Sequence, residues 1–379
     1  MDKHNNPSEI SAAANRISMS DLKELLRDNL MALWSSDGTL SDPSAMIPPV
    51  MIWGAPGLGK STVVRELAQE LGVGFIDVRL AQREPVDMRG LPVPEGDSVR
   101  WLVSSEWPRD PDSRGIIMFD ELTAADRTLQ VASYEFILDR RLGDLYRVPR
   151  GWYVLAAGNR VEDRAVACAM SSALANRFLH VEVKPDVGSF VTWAVEKHLH
   201  PAVINFIRYR PALLFSQQDI DLQRGWPSPR SWERVSTMLK IADATGHRHM
   251  LSYSIPGLVG EGAAAEFIAF YKSMFALQSK CDLREMLISG EDIPMPQRPD
   301  LIYACCSAIC YHLEVETDDD NLAKMVRSFL KFSINLSSDY AMMMIGDVLK
   351  NLKKRGRQEL ITRDPQYAAW LKRHGARRS

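Results

Sequence analysis

Residues 54–62 read G-A-P-G-L-G-K-S-T and concentrate chemistry that an ordinary turn does not need. Gly54, Gly57 and Gly59 permit backbone conformations and close approaches that a Cβ blocks. A loop wound that tightly turns several N–H groups inward and forms an anion cradle. A helix starting near Lys60 presents its positive end to the same point. The Lys60 ammonium, on a flexible stem, suits β- and γ-phosphates, and the Ser61 hydroxyl suits a Mg2+ ion. Gly54 to Ser61 fits G-x-x-x-x-G-K-[ST], the phosphate-binding P-loop. The expected nucleotide-binding set is Gly54, Ala55, Pro56, Gly57, Leu58, Gly59, Lys60, Ser61 and Thr62. The flanks agree. Pro49 to Trp53 is an apolar run of strand character, and Val63, Val64, Leu67 and Leu71 share one helix face before a stop at Gly72.

Four further residues or pairs have the types that phosphoryl transfer uses. Ile116 to Phe119 reads as a strand buried on both faces, which delivers Asp120 and Glu121 to its C-terminal edge. Ligands of open α/β sheets bind at that edge. Asp120 there can hold the water shell of Mg2+ together with Ser61, and Glu121 can polarise the attacking water. Asn159 ends another apolar run, Val154 to Ala157, where a neutral amide can hold that water against a γ-phosphate. Arg177, in L-A-N-R-F, falls at a helix end, from which an arginine can reach a neighbouring subunit's phosphates; Arg160 and Arg164 are the alternatives for that role. In S-P-R, Pro229 restricts Ser228 and Arg230 opens a helix. A cation is locally unfavourable there, so a distant anion accounts for it.

The elements that must position these groups alternate. V-G-F-I-D-V-R-L, R-G-I-I-M-F-D-E-L and G-W-Y-V-L-A-A-G-N-R read as strands, T-L-Q-V-A-S-Y-E-F-I-L-D-R-R-L as a helix, and S-S-A-L-A-N-R-F-L-H-V-E-V as a helix running into a strand. That alternation predicts an α/β fold with a parallel, helix-covered sheet. After about Asp186 the pattern is helical to the end. Residues 1–19 read as loosely attached, and Ser20 can cap a helix to about Trp34 with Leu22, Leu25, Leu26, Leu30 and Leu33 on its apolar side. The expected divisions are an N-terminal helix and linker (1–44), an α/β nucleotide-binding core (45–186), a helical lid (187–290) and a helical C-terminal region (291–379).

At 379 residues two or three domains are expected. A net charge of −2 gives no global field toward nucleic acid or membrane. The polar N-terminus and the lack of a long apolar run point to a cytoplasmic protein. The five cysteines read as reduced thiols, with Cys305, Cys306 and Cys310 too closely spaced for a disulfide framework. The pairs His198/His200 and His247/His249 read as surface histidines. Met342, Met343 and Met344 read as core. The basic run Lys350, Lys353, Lys354, Arg355, Arg357, Arg377 and Arg378 reads as a solvated, partly frayed helix.

The order P-loop, D-E strand end, asparagine, helix-end arginine and S-P-R resembles the AAA+ ATPases over roughly residues 45–290. The segments V-D-M-R-G-L-P-V-P-E-G-D-S-V-R-W-L-V-S-S-E-W-P and D-R-R-L-G-D-L-Y-R-V-P-R-G-W-Y are similar to an insertion and a hairpin of the MoxR branch. Asn176 stands where that branch usually has an acid before the arginine, as in midasin-like relatives. The resemblance implies a P-loop NTPase core with a helical lid, ATP and Mg2+ as ligands, and a homo-oligomeric ring, in the usual case a hexamer. It makes Lys60 and Ser61 Walker A residues, Asp120 and Glu121 Walker B residues, Asn159 sensor one, Arg177 the arginine finger and Arg230 sensor two. It implies a chaperone-like ATPase that remodels a partner protein, often alongside a separate von Willebrand A domain protein. A nucleic-acid motor or loader with the same engine, and a nucleotide-sensing scaffold without turnover, are the competing functions.

Overall fold

The structure, a computed structural model, describes residues 16–35, 40–160, 168, 170, 172–217, 224–280 and 282–375. It divides after Phe190 into two units.

The first unit begins with β1 (Arg16–Ile17), α1 (Met19–Trp34), α2 (Pro43–Met46), β2 (Val50–Trp53), α3 (Lys60–Leu71) and β3 (Gly74–Arg79). It continues through α4 (Pro85–Arg89), β4 (Leu91–Glu95), β5 (Ser98–Leu102), β6 (Gly115–Asp120) and α5 (Arg127–Asp139). The hairpin β7 (Arg141–Leu142) and β8 (Tyr146–Arg147) follows, then β9 (Trp152–Gly158), α6 (Ser172–Ala175) and β10 (Leu179–Val183). Six strands form one sheet in the order β1-β10-β2-β9-β6-β3, and every pairing is parallel. Met51, Ile52, Ile116, Ile117, Met118, Phe119, Leu155, Ala156 and Ala157 are all fully buried, as a sheet covered on both faces requires. The expected α/β P-loop fold is therefore present. In register, Trp53 lies beside Gly158 and Phe119 beside Ala156, so the C-terminal ends of β2, β9 and β6 line up.

Two details differ from the sequence expectation. Arg16 and Ile17 are an edge strand paired with Glu182 and Val183, so the attached part of the chain starts before residue 19; residues 1–15 lie outside the described residues. The cap of α1 is Ser18, not Ser20. Ser18 and Asp21 make a reciprocal capping box, each side chain accepting from the other's backbone N–H at 3.1 Å. The Ser20 hydroxyl instead donates to Ser189 Oγ at 3.0 Å. Leu22, Leu26, Leu30 and Leu33 are buried as expected, and Lys23 and Arg27 pair with Glu70 of α3 at 2.5 and 2.8 Å. Both segments read as hairpins or insertions contain antiparallel hairpins, β4–β5 and β7–β8.

The second unit is helical. After α7 (Val187–Glu196), which crosses the division, come α8 (Pro201–Tyr209), α9 (Pro229–Thr245), α10 (Leu251–Val259) and α11 (Glu261–Lys280). Then follow α12 (Leu283–Ser289), α13 (Pro299–Val315), α14 (Asp319–Ile334), α15 (Ser338–Lys354), α16 (Glu359–Thr362) and α17 (Pro365–His374). Phe206, Trp232 and Phe267 are buried against one another, with ring centroids 5.2–5.5 Å apart. A cavity of about 1300 Å³ in this unit is lined in part by His200, Arg208 and Asp347; Arg208 clamps Asp347 through two nitrogens at 2.5 and 2.9 Å.

Three sequence expectations change here. His200 is not a surface histidine: its Nδ1 accepts from Ala202 N–H at 3.1 Å and its Nε2 meets Asp243 at 3.1 Å, and burial pushes its pKa below the ordinary value. Of the three methionines only Met344 is fully buried, while Met342 is 45% exposed. The basic run is not frayed. Arg355 donates to the carbonyls of Leu313, Glu314 and Glu316 around the end of α13, and Arg357 pairs with Asp319. Beyond it, Ile361 and Trp370 are buried in the core of α12 to α17; Arg377 and Arg378 lie outside the described residues. Burial of Cys306 and Cys310 pushes both thiols well up. No group of metal-ligating His, Cys, Asp or Glu is found among the described residues, and no described helix is long and apolar enough to cross a membrane.

Because Trp370 is 2% exposed, Trp370→Ala is expected to cost about 3–5 kcal/mol of stability in urea denaturation. A frayed tail gives no change.

Candidate active site

The P-loop joins the end of β2 to the start of α3. Its glycines hold conformations that other residues resist: φ is 83° at Gly57 and 99° at Gly59, the N-cap of α3. Gly54 is needed for space as well, since a Cβ there meets the Val183 carbonyl oxygen at 3.1 Å and Leu58 Cδ1 at 3.2 Å. Lys60, only 8% exposed, donates to the carbonyls of Gly54 and Ala55 at 2.5 and 3.1 Å and to Asn159 Oδ1 at 3.0 Å. Ser61 Oγ donates to Asp120 Oδ2. Thus α3, β6 and β9 deliver Lys60, Ser61, Asp120 and Asn159 to one spot. Gly54, Ala55, Gly57 and Leu58 are buried and Pro56 and Gly59 half-buried, while Thr62 is exposed on the first turn of α3.

Asp120 ends β6 and accepts the Glu121 N–H at Oδ1, 2.9 Å. Glu121 itself has φ 57°, a left-handed conformation that is uncommon without a Cβ-free residue. It is exposed. An outlier of this kind next to such a cluster marks a candidate functional group.

Sequence reasoning missed Thr123. Its hydroxyl, in a residue 2% exposed, donates to the Asn159 carbonyl at 3.0 Å and accepts the Asn159 N–H at 3.1 Å. Leu122 N–H adds a bond to the Ala157 carbonyl at 2.9 Å. These bonds extend the β6–β9 pairing past the strand ends and hold the backbone of Asn159, whose amide oxygen accepts from Lys60. Gly158 is part of the arrangement, since a Cβ there meets Thr123 Oγ1 at 2.7 Å. The only signal in the sequence was a hydroxyl two residues after D-E, which means nothing until the strand neighbours are known.

Arg177 and Arg230 stand outside this network. Arg177 follows α6, is exposed, and has no carboxylate partner among the described residues. Arg230 is exposed in the first turn of α9, in the second unit; Ser228 caps that helix at 3.2 Å through the Ser231 N–H. Arg160 is engaged with Glu182 at 2.6 Å, and Arg164 lies outside the described residues.

The donor set fits a magnesium nucleotide. An ammonium, two φ-positive glycines at a helix start and a hydroxyl facing a carboxylate combine an anion cradle with hard oxygen ligands. Residues 50–163 match the profile of the "ATPase family associated with various cellular activities (AAA)". No curated protein matches the chain. Among solved structures, Brucella abortus NtrX is 15% identical with a TM-score of 0.33, covering 93% of this chain and 72% of its own. A Thermotoga maritima RuvB mutant is 14% identical with a TM-score of 0.33, over 90% of this chain and 88% of its own. A Cytophaga hutchinsonii protein described as a candidate ATPase is 13% identical with a TM-score of 0.28, over 94% of each chain. Likeness at that level decides nothing here; the sheet order and the matched segment do. The first unit carries an AAA ATPase domain, and ATP hydrolysis is the reaction that domain performs.

Thr123→Val removes both hydrogen bonds to Asn159 at nearly constant volume. It is expected to cost about 1–3 kcal/mol of stability and to lower kcat about tenfold, equivalent to roughly 1.4 kcal/mol. Nucleotide affinity by calorimetry should hold, and Thr123→Ser should restore turnover.

Proposed function

We propose that the chain is a MoxR-like AAA+ ATPase that assembles into a ring, in the usual case a hexamer, and uses ATP hydrolysis to remodel a partner protein, with Mg2+ as cofactor. The observation that carries the reading is the convergence of two hydrogen-bonded pairs, Lys60 with Asn159 and Ser61 with Asp120, at the C-terminal edge of the sheet; on binding, these groups would exchange their present partners for a phosphate, metal or water. The two hairpins, where the MoxR resemblance places them, support the branch. The exposed Leu91, Val99 and Trp101 on β4–β5 suit a contact with a partner protein; a von Willebrand A domain protein is the one that resemblance suggests.

In this reading the P-loop N–H groups and Lys60 hold the β- and γ-phosphates. Ser61 and Asp120 would hold Mg2+, which would supply positive charge against the phosphates. Asn159 orients a water in line with the γ-phosphorus. Glu121 accepts that water's proton as its oxygen attacks, and ADP leaves with the electrons of the broken bond. Arg177 stabilises the transition-state charge on a neighbour's nucleotide, and Arg230 touches the γ-phosphate as sensor two. Glu121, Asn159 and Arg177 are superfluous in a scaffold that only senses nucleotide. The net charge of −2 gives no electrostatic reason to favour nucleic acid.

Glu121→Gln should bind ATP normally and lose turnover by orders of magnitude. Equal loss of both sinks its assignment as the base.

Arg177→Ala and Lys60→Ala should each be inactive alone and recover activity when mixed, because one interface then joins an intact P-loop to an intact arginine. The check is phosphate release from assemblies verified by native mass spectrometry. No recovery removes the assignment of Arg177 to the neighbour's site.

A further inference from the structure

Trp53 is the last residue of β2, directly before Gly54 of the P-loop. Its indole N–H donates to His180 Nδ1 at 2.8 Å. An indole nitrogen is only a donor, so Nδ1 carries no proton and the ring's proton sits on Nε2. From there it is donated to the Ala175 carbonyl at 2.7 Å. Ala175 ends α6, and its carbonyl, one of those a helix terminus leaves without an intrahelical partner, also accepts the Phe178 N–H at 3.3 Å. Arg177 lies inside the turn that these bonds close, held further by its own N–H to the Leu174 carbonyl at 3.1 Å. The imidazole is fixed in plane as well as in tautomer. It lies nearly coplanar with Trp53, centroids 5.9 Å apart and 12° between planes, as the in-plane N–H to Nδ1 bond requires, and Phe178 meets it edge-on at 6.1 Å and 66°. The strand that carries His180 is itself registered on β2, with His180 beside Met51. A single side chain therefore ties the end of the P-loop strand to the turn that presents Arg177.

We propose that His180 is a positioning residue for Arg177, anchoring the arginine turn to the P-loop strand through Trp53 on one side and the Ala175 carbonyl on the other. The proposal rests on the reading of Arg177 as an arginine that serves a neighbour's nucleotide.

The exposed arginine has no carboxylate among the described residues to hold it, so its direction depends on its turn. Loosening the turn displaces the guanidinium without touching the subunit's own P-loop contacts. A displacement of about 1 Å of a group that must meet a transition state costs up to roughly a hundredfold in rate.

The two ring nitrogens can be separated by substitution. His180→Asn keeps an acceptor near the Trp53 N–H and loses the donor to Ala175. His180→Gln keeps a donor toward Ala175. The test uses the full chain and the mixture of Lys60→Ala with Arg177→Ala subunits as reference. In that mixture the Lys60→Ala subunit supplies the arginine and the Arg177→Ala subunit supplies the nucleotide site. With His180→Asn added to the arginine-supplying subunit, recovered ATPase activity should fall roughly ten- to a hundredfold. With the same change on the nucleotide-supplying subunit, recovery should be unchanged. His180→Gln on the arginine side should keep most of it. If His180→Asn does not fold, as read by its circular dichroism melt, Trp53→Phe placed on either side reads the same asymmetry, since it keeps a ring and removes the N–H. Equal loss on both sides means a general role in the fold and overturns the proposal. So does loss on neither side. A reference mixture that never recovers removes the neighbour-serving role of Arg177, and this proposal with it; a reference that recovers without a side-specific loss removes only the role of His180.

Discussion

A lysine ammonium that is 8% exposed has to be surrounded by acceptors. Leaving such a charge buried without partners costs on the order of several kcal/mol. The acceptors include the Gly54 and Ala55 carbonyls from the loop after β2 and the Asn159 amide from the end of β9. They can converge only if β2 and β9 are neighbours that run the same way and end at the same level. Parallel neighbours need long crossovers, and the crossovers are the helices that bury both faces of the sheet. The constraint on one charge thus reaches the strand order β10-β2-β9-β6. It reaches the glycines too, because the carbonyls of residues 54 and 55 turn toward Lys60 only in a loop that takes φ 83° and 99° further on.

Around that charge the site is stitched laterally. Ser61 joins α3 to β6 through Asp120. Thr123 joins the turn after β6 to the end of β9 through both backbone groups of Asn159. The left-handed turn at Glu121 falls between these two fastenings, and such a conformation persists only when its surroundings over-determine it. Asp120 on one side and Leu122 and Thr123 on the other supply that restraint. The side chain that the proposed mechanism asks to move a proton is thereby the one whose backbone is held against its preference.

How much of this was legible depended on range. The P-loop, Asp120 and Asn159 follow from short spacings and from apolar runs whose C-terminal ends must share one edge of a parallel sheet. Thr123, Gly158, Trp53 and His180 were not legible, because their meaning lies in which strand is beside which. The Ser18 cap is a different case: Asp21 stands three residues on, the spacing of a capping box, and the polar start of the chain obscured it. The basic run after Lys350 misled because charge density says nothing about what lies beyond it. Trp370 and Ile361 return to the core, and Arg355 spends its guanidinium on the end of α13. His200 misled in the same way, since an H-x-H pattern does not reveal a helix cap or an aspartate forty-three residues away.

The candidate residues separate into two physical kinds. Lys60, Ser61, Asp120 and Asn159 satisfy one another within the first unit. Glu121, Arg177 and Arg230 are exposed, and the two arginines have no carboxylate partner among the described residues. The first kind is what binding needs: groups already oriented, whose partners a phosphate or metal can replace with little rearrangement. The second kind gains most of its interaction energy only when charge develops or a neighbour arrives, which is the condition for raising turnover rather than affinity. Under the proposed ring mechanism this partition has a structural consequence. A subunit can be complete for holding nucleotide and incomplete for cleaving it, so the rate of hydrolysis reports on the interface between subunits while affinity reports on the fold of one.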